Sequence, residues 1–78
     1  PARFLQGRLV KVDCSQSPAA ILTVAASGIV LNLRTPDYKS LLLIGADTFS
    51  CDWNDRSVSV NYKAGGVSDG DLVSVEVR

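Results

Sequence analysis

The sequence predicts an all-β protein, a small antiparallel barrel, OB-like or SH3-like, of about six to seven short strands. Apolar residues recur with a period of two along most of the chain, and no stretch has the 3.6-residue period of a helix. Turn signals with glycine, proline or aspartate separate these stretches at short, regular intervals. A chain of 78 residues is too short for two full sheets, so one sheet must curl and close.

The composition limits the domain organisation and the classes of partner. We expect one domain over residues 1–78, excised from a longer protein, because the chain lacks methionine and its last residue still belongs to an alternating pattern. Eight basic and eight acidic residues cancel and are scattered, so nucleic acid is not the expected partner. No apolar run approaches the roughly 20 residues of a membrane helix, so we expect no membrane partner either. The expected partner is a protein.

The first predicted strand ends at Cys14. Val10, Val12 and Cys14 share one face of it, while Lys11 and Asp13 take the other, as in a half-buried strand. The alternation therefore predicts that all three apolar residues point to the core.

The next two segments predict a β-hairpin. Segments 20–26 and 29–34 flank Ser27-Gly28, a two-residue turn in which glycine supplies a positive φ. This turn sets the large inward residues against each other across the hairpin, in the pairs Ala26 with Ile29, Val24 with Leu31, and Leu22 with Leu33.

The opposite face of this hairpin is unusually apolar. Ile21, Ala25 and Val30 lie there beside Thr23 and polar residues of the second strand. Either another element of the chain covers this face, or it is an exposed patch that contacts a second molecule, and we prefer the second explanation. Ile21, Ala25 and Val30 are therefore candidate interaction residues, and weak self-association or docking onto a helical partner is the expected consequence.

The second half of the chain continues the strand pattern. The run Leu41–Ile44 reads as a buried strand, and Phe49 and Cys51 alternate in a further short segment. Two later strands present apolar side chains on one face, with Val58, Val60 and Tyr62 in the first and Val73, Val75 and Val77 in the last.

Cys14 and Cys51 each close an alternating segment, and they are the most informative pair in the chain. A structural disulfide is our preferred interpretation, two buried reduced thiols are the second, and redox chemistry is the third, since neither cysteine has a cationic neighbour. A disulfide would contribute about 3 to 5 kcal/mol in the chain-entropy model. It would also indicate an oxidising compartment, with a periplasmic or extracytoplasmic location.

The residues give no catalytic, cofactor or metal site. The chain has no histidine, so a serine would lack its usual base, and two thiols alone cannot complete the four ligands of zinc. Asp52 with Asp55 and Asp69 with Asp71 do not have the spacing of a calcium loop and are interpreted as turn formers. We therefore expect a protein that is not an enzyme and carries no cofactor.

Aromatic residues are few. Phe49 and Tyr62 fall on apolar strand faces and are predicted to be core residues. Trp53 lies in a polar loop, where it is either a lid over one end of the barrel or an anchor for a partner, and it is the fourth candidate interaction residue.

Five segments of the chain carry a resemblance, and they are Gly7–Cys14, Leu31–Asp37, Phe49–Cys51, Val58–Tyr62 and Gly70–Glu76. Together they resemble a small β-domain found at the C-terminal end of certain bacterial tetratricopeptide-repeat proteins. The resemblance covers nearly the whole chain. It implies a β-domain that retains both cysteines, is appended to a helical scaffold, and has no established activity. One departure is the hairpin around Ser27-Gly28, which is more apolar than the polar, glycine- and lysine-containing turn expected.

The expected function is therefore a non-enzymatic structural or protein-interaction domain of a larger bacterial protein, with a second copy of itself or a helical-repeat scaffold as the partner. The first alternative is a small barrel that binds a ligand or nucleic acid, which would need a concave face with aromatic and positively charged residues. The second alternative is an engineered stable scaffold, which the missing methionine and the apolar hairpin permit.

Overall fold

The computed structural model describes all residues, 1–78, and contains strands without any helix. The six strands have the following bounds: β1 Arg3–Asp13, β2 Ala20–Ala26, β3 Ile29–Thr35, β4 Leu42–Ile44, β5 Arg56–Ala64 and β6 Gly70–Val77. The predicted all-β architecture is confirmed.

The sheet closes into a five-stranded barrel. The strand order is β3-β2-β1-β5-β6-β4, and an additional pairing of β3 with β6 closes the ring. Strands β1 to β3 follow each other as hairpins and β5 returns beside β1, which is a Greek-key arrangement and makes the barrel OB-like. β4 is an extra strand outside the ring, paired with β6 alone.

The pairing is mixed, which differs from the purely antiparallel sheet expected. β3 runs parallel to β6 through Leu33 and Arg34, and β4 also runs parallel to β6. A closed ring with an odd number of strands cannot alternate direction all the way round, so at least one neighbouring pair must be parallel. Closure with five strands therefore imposes the parallel contact.

The hairpin register is confirmed. Val24 lies opposite Leu31 and Leu22 opposite Leu33, as the two-residue turn requires. Ser27 and Gly28 both have positive φ values, 38° and 84°, which matches the twist of the flanking strands. The turn therefore places Leu22, Val24 and Leu33 in the core, where each is fully buried.

At two points, a shift in strand register makes the inward-facing residues differ from those that the alternation predicts. The pairing of β1 with β2 shifts between Leu9 and Lys11, so Leu9 is fully buried and Val10 points outward, 46% exposed. The pairing of β5 with β6 shifts next to Val73, which is 42% exposed while Leu72 takes the core position. One extra residue in one strand inverts the side-chain alternation on either side of it. The prediction that Val10 and Val73 point inward is therefore wrong.

The segment between β3 and β5 also differs from the prediction. β4 was expected as a buried strand over Leu41–Ile44, but it spans Leu42–Ile44 at the sheet edge and exposes Leu42 and Ile44. The alternating segment ending at Cys51 is not a strand, because residues 45–55 form bends and turns. Asp52, for example, donates its backbone N–H to the Ser50 hydroxyl at 3.1 Å.

The core fills the inside of the barrel, and Tyr62 belongs to it as predicted. Phe49 and Trp53 pack against this core and are partly buried. The buried cluster consists of Leu9, Ala20, Leu22, Val24, Leu33, Val58, Val60, Tyr62, Leu72, Val75 and Val77.

Candidate functional site

An open groove of about 560 Å³ lies along β4. It is bounded by β4 itself and by the chain that precedes and follows this strand. Its volume falls within the range of about 300 to 1,000 Å³ that is usual for binding sites. The apolar residues that line it are Tyr38, Leu41, Leu42, Leu43, Ala46 and Phe49.

An aromatic cluster supports one side of this groove. The rings of Tyr38 and Phe49 stack with centroids 4.9 Å apart, and Phe49 meets Trp53 edge to face at 5.0 Å. The Tyr38 hydroxyl lies 3.0 Å from the Ser17 hydroxyl, within hydrogen-bonding distance. Aromatic pairs of this kind contribute about 0.5 to 1.5 kcal/mol beyond the burial of their area, so this wall of the groove is well fixed.

β4 presents a free edge beside the groove. Every other strand pairs with at least two neighbours, whereas β4 pairs only with β6. Alternate residues of a strand direct their backbone N–H and C=O groups to opposite sides, so part of the hydrogen-bonding capacity of β4 is open. Leu43 lies opposite Val75 and packs against the core, which leaves Leu42 and Ile44 facing outward, 60% and 48% exposed.

Opposite charges lie at the two ends of this strand. Lys39 precedes β4 and Asp47 follows it, and both are exposed and line the groove. Neither belongs to an ion pair, because the single salt bridge of the structure joins Arg8 Nε to Asp55 Oδ1 at 2.6 Å. Both charges are thus free to meet a bound molecule.

The predicted disulfide between Cys14 and Cys51 is present, with Cα atoms 6.0 Å apart. It ties the residue after β1 to the turn region between β4 and β5. The two cysteines are 37 residues apart, so the bond closes a long loop that contains the hairpin, β4 and the groove. It joins Cys51, two residues from both Phe49 and Trp53, to the barrel, which limits the freedom of the aromatic cluster.

The candidate interaction residues of the hairpin lie on the outside of the barrel. Ile21 and Ala25 are half-buried, because Asp13 and Arg8 of β1 lie opposite them in the sheet. Val30, opposite Ala25 in β3, is 61% exposed. This face is therefore apolar mainly towards the hairpin tip.

The polar residues of this hairpin face bond to each other and to a neighbouring loop. The Thr23 hydroxyl donates to Asn32 Oδ1 at 2.7 Å, and the Asn32 backbone N–H donates to Asp69 Oδ2 at 2.7 Å. These bonds occupy the Thr23 hydroxyl and the side-chain oxygen of Asn32.

Trp53, the fourth candidate, is partly exposed and contacts Phe49. Trp53 thus packs against Phe49, which lines the groove, whereas the hairpin residues do not line it. Sequence reasoning missed the groove itself. The signal was available in the run Leu41–Ile44 with Lys39 and Asp47 around it, but that run was interpreted as a buried strand.

No three or more histidine, cysteine, aspartate or glutamate side chains converge as a metal site would require, and no buried side-chain polar atom lacks a hydrogen bond. Asp55 and Asp69 accept hydrogen bonds from Arg8 and from the Asn32 backbone. The structure contains no helix long and apolar enough to cross a bilayer.

Comparisons with known proteins add no family. No family model matches the chain, and neither a curated protein nor a solved structure matches it significantly.

Proposed function

We propose that this chain is a non-enzymatic protein-interaction domain of a larger bacterial protein, and that it binds an extended segment of its partner along β4. The observation that carries the proposal is the free edge of β4, which coincides with an apolar groove and with exposed Leu42 and Ile44. Recognition by strand addition uses main-chain hydrogen bonds for affinity and alternate side chains for specificity. β4 offers both.

The groove fits an extended segment better than a compact small molecule. Small-molecule sites enclose most of their ligand, whereas this groove is open and is lined by a single segment of the chain. Its charged residues lie at the two ends of β4, which suits a ligand long enough to reach both. These features favour a peptide over the alternative of a ligand-binding barrel.

A second candidate surface is the hairpin tip. Ile29 and Val30 are 48% and 61% exposed, which supports a contact there. Ile21 and Ala25 contribute less, because both are half-buried. We propose this surface second because its backbone edge is partly closed by Asp69 and β6.

The disulfide supports an oxidising compartment, and we propose a periplasmic or extracytoplasmic location on that basis. The resemblance to a domain of tetratricopeptide-repeat proteins supports a helical-repeat scaffold as the neighbour in the larger protein. A structural staple suits such a location, since a domain this small has a limited core.

A synthetic extended peptide tests the proposed function. The probe Lys-Val-Thr-Val-Thr-Val-Thr-Val-Asp, blocked at both ends, has nine residues, as does the segment from Lys39 to Asp47, so its charges can reach Asp47 and Lys39 when it lies antiparallel to β4. Titration followed by the amide resonances of the labelled protein should shift those of residues 38–49 and of β6. The matched control is the probe with its terminal charges exchanged, which should bind more weakly. The absence of shifts around β4 with either probe would contradict the proposal.

A further inference from the structure

We infer that the segment bound along β4 is β4 of a second copy of this chain, in an antiparallel two-fold pairing centred on Leu43. This inference rests on the proposed function and specifies its partner. A two-fold interface must be self-complementary, so that residue i of one copy contacts residue j of the other and the reverse. The sequence around β4 meets this condition.

The charges provide the first line of evidence. Lys39 and Asp47 each lie four residues from Leu43, on opposite sides. An antiparallel pairing centred on Leu43 brings the Lys39 end of each copy to the Asp47 end of the other. Both side chains are exposed and unpaired in one copy, so the symmetric contact creates two ion pairs and leaves no like charges together.

The apolar residues provide the second line of evidence. The same symmetry sets Leu42 of each copy against Ile44 of the other, and these are the two exposed aliphatic residues of β4. Cross-strand aliphatic pairs stabilise an antiparallel contact, and both pairs would lie on the same face of the joined sheet. Ser40 and Ala46, at equal distances in sequence from Leu43, have small side chains that do not obstruct the approach.

The shortness of β4, which has three residues, is the one feature within the strand that protects its edge. Proteins commonly block an open edge with a charged residue, a proline or a bulge, and Leu42–Ile44 contains none of these. The three residues pair in regular register with Ser74, Val75 and Glu76. A contact this short is weak, and a larger protein with several copies would strengthen it through effective concentration.

Sedimentation equilibrium with charge-exchanged variants tests the inference. The parent chain should rise from its monomer mass of 8.3 kDa towards twice that value with increasing concentration. Lys39→Asp and Asp47→Lys should each weaken self-association about tenfold or more, because each replaces two attractive pairs with two repulsive ones. An equimolar mixture of the two variants should associate again, since every contact across that heterodimer is attractive.

Two controls accompany this experiment. Circular dichroism should show both variants folded, because Lys39 and Asp47 are exposed. Val30→Lys, at the hairpin tip, should leave self-association unchanged. A monomeric parent, single variants that associate like the parent, or a mixture that stays monomeric would each overturn the inference. A monomeric parent that still binds the Lys-Val-Thr-Val-Thr-Val-Thr-Val-Asp probe at β4 would overturn only the second copy as partner and leave the proposed function intact.

Discussion

Glycine residues mark the points at which this backbone needs either an unusual φ or a close approach. Gly28 has a φ of 84° in the hairpin turn, and open space surrounds the position of a Cβ. Gly45, which directly follows β4, has a nearly identical φ of 83°, but a Cβ there would overlap the carbonyl oxygen of Val77. A substitution at Gly28 therefore tests backbone strain alone, whereas one at Gly45 tests strain together with steric overlap.

Gly45→Ala should destabilise the protein more than Gly28→Ala. The left-handed φ costs either alanine about 1 to 2 kcal/mol. Gly45→Ala must also push β4 away from the end of β6, so we expect its loss of unfolding free energy to be at least about twice as large. Urea denaturation of both variants measures the difference, and equal losses would show that the approach to Val77 relaxes without cost.

Asp13 provides a pH-dependent contribution. Hydrogen bonds from the Ser15 side chain and backbone N–H, together with nearby Lys11, hold the pKa of the Asp13 carboxyl below its usual value of 3.8. Because the pKa is lower in the folded than in the unfolded protein, ionisation stabilises the fold above the usual pKa. This stabilisation is lost as the pH falls through the lowered value.

Asp13→Asn should remove this pH dependence. The difference in unfolding free energy between parent and variant should be constant above about pH 5 and shrink in stronger acid. Urea denaturation of both proteins, from about pH 5 into stronger acid, measures this difference. Ser15→Ala, which deletes the side-chain donor, should reduce the same pH-dependent part, and a parent-minus-variant difference that grows in acid would have the wrong sign for this account.

At the scale of the strands, register shifts decide which side chains enter the core. The alternation of β6 places Val73, Val75 and Val77 on one face, but the shift in its pairing with β5 turns Val73 outward and brings in Leu72. β1 behaves in the same way, with Leu9 buried in place of Val10. A strand can therefore have an ideal alternating sequence and still turn some of its apolar side chains away from the core.

Val73→Ala and Val75→Ala form a matched pair that tests the shift in β6. Val75 is fully buried, so its truncation leaves a cavity and should cost about 2 kcal/mol or more of unfolding free energy. Val73 is 42% exposed, and its truncation should cost less than about 1 kcal/mol. Thermal or urea unfolding measures both. Similar losses would indicate an uninterrupted strand.

At the scale of the molecule, the disulfide compensates for the small core. Only Leu9, Leu22, Leu33 and four valines are large side chains buried completely. The bond between Cys14 and Cys51 restricts the unfolded chain through a loop that covers almost half of the sequence. Its contribution is therefore comparable with the total stability of a domain of this size.

Replacing Cys14 and Cys51 together by alanine should lower the free energy of unfolding by about 3 to 5 kcal/mol. Urea denaturation of the double variant measures the loss, and the reduced parent protein should lose a similar amount. Thiol titration of the denatured, unreduced parent should find no free thiol. Two titratable thiols in air-exposed protein would contradict the pairing.

The distribution of charge predicts no measurable binding to nucleic acid. Positive and negative residues are equal in number, and the guanidinium charge of Arg8 is neutralised by its ion pair with Asp55. We expect no measurable affinity for single- or double-stranded oligonucleotides at physiological salt in a fluorescence polarisation titration. Micromolar binding that falls steeply with added salt would mean that a basic surface forms despite the balanced composition.

The sequence by itself determined the all-β class, the hairpin with its register, and the identity of most core residues, because these depend on local periodicity and turn chemistry. Leu22, Val24 and Tyr62 follow from such patterns alone. Tertiary structure decided the closure of the ring, the two register shifts, and the place of β4. Closure with five strands requires a parallel pair that no local pattern encodes. β4 has the composition of a buried strand, yet every place in the ring is already taken, so it lies at the edge and exposes Leu42 and Ile44.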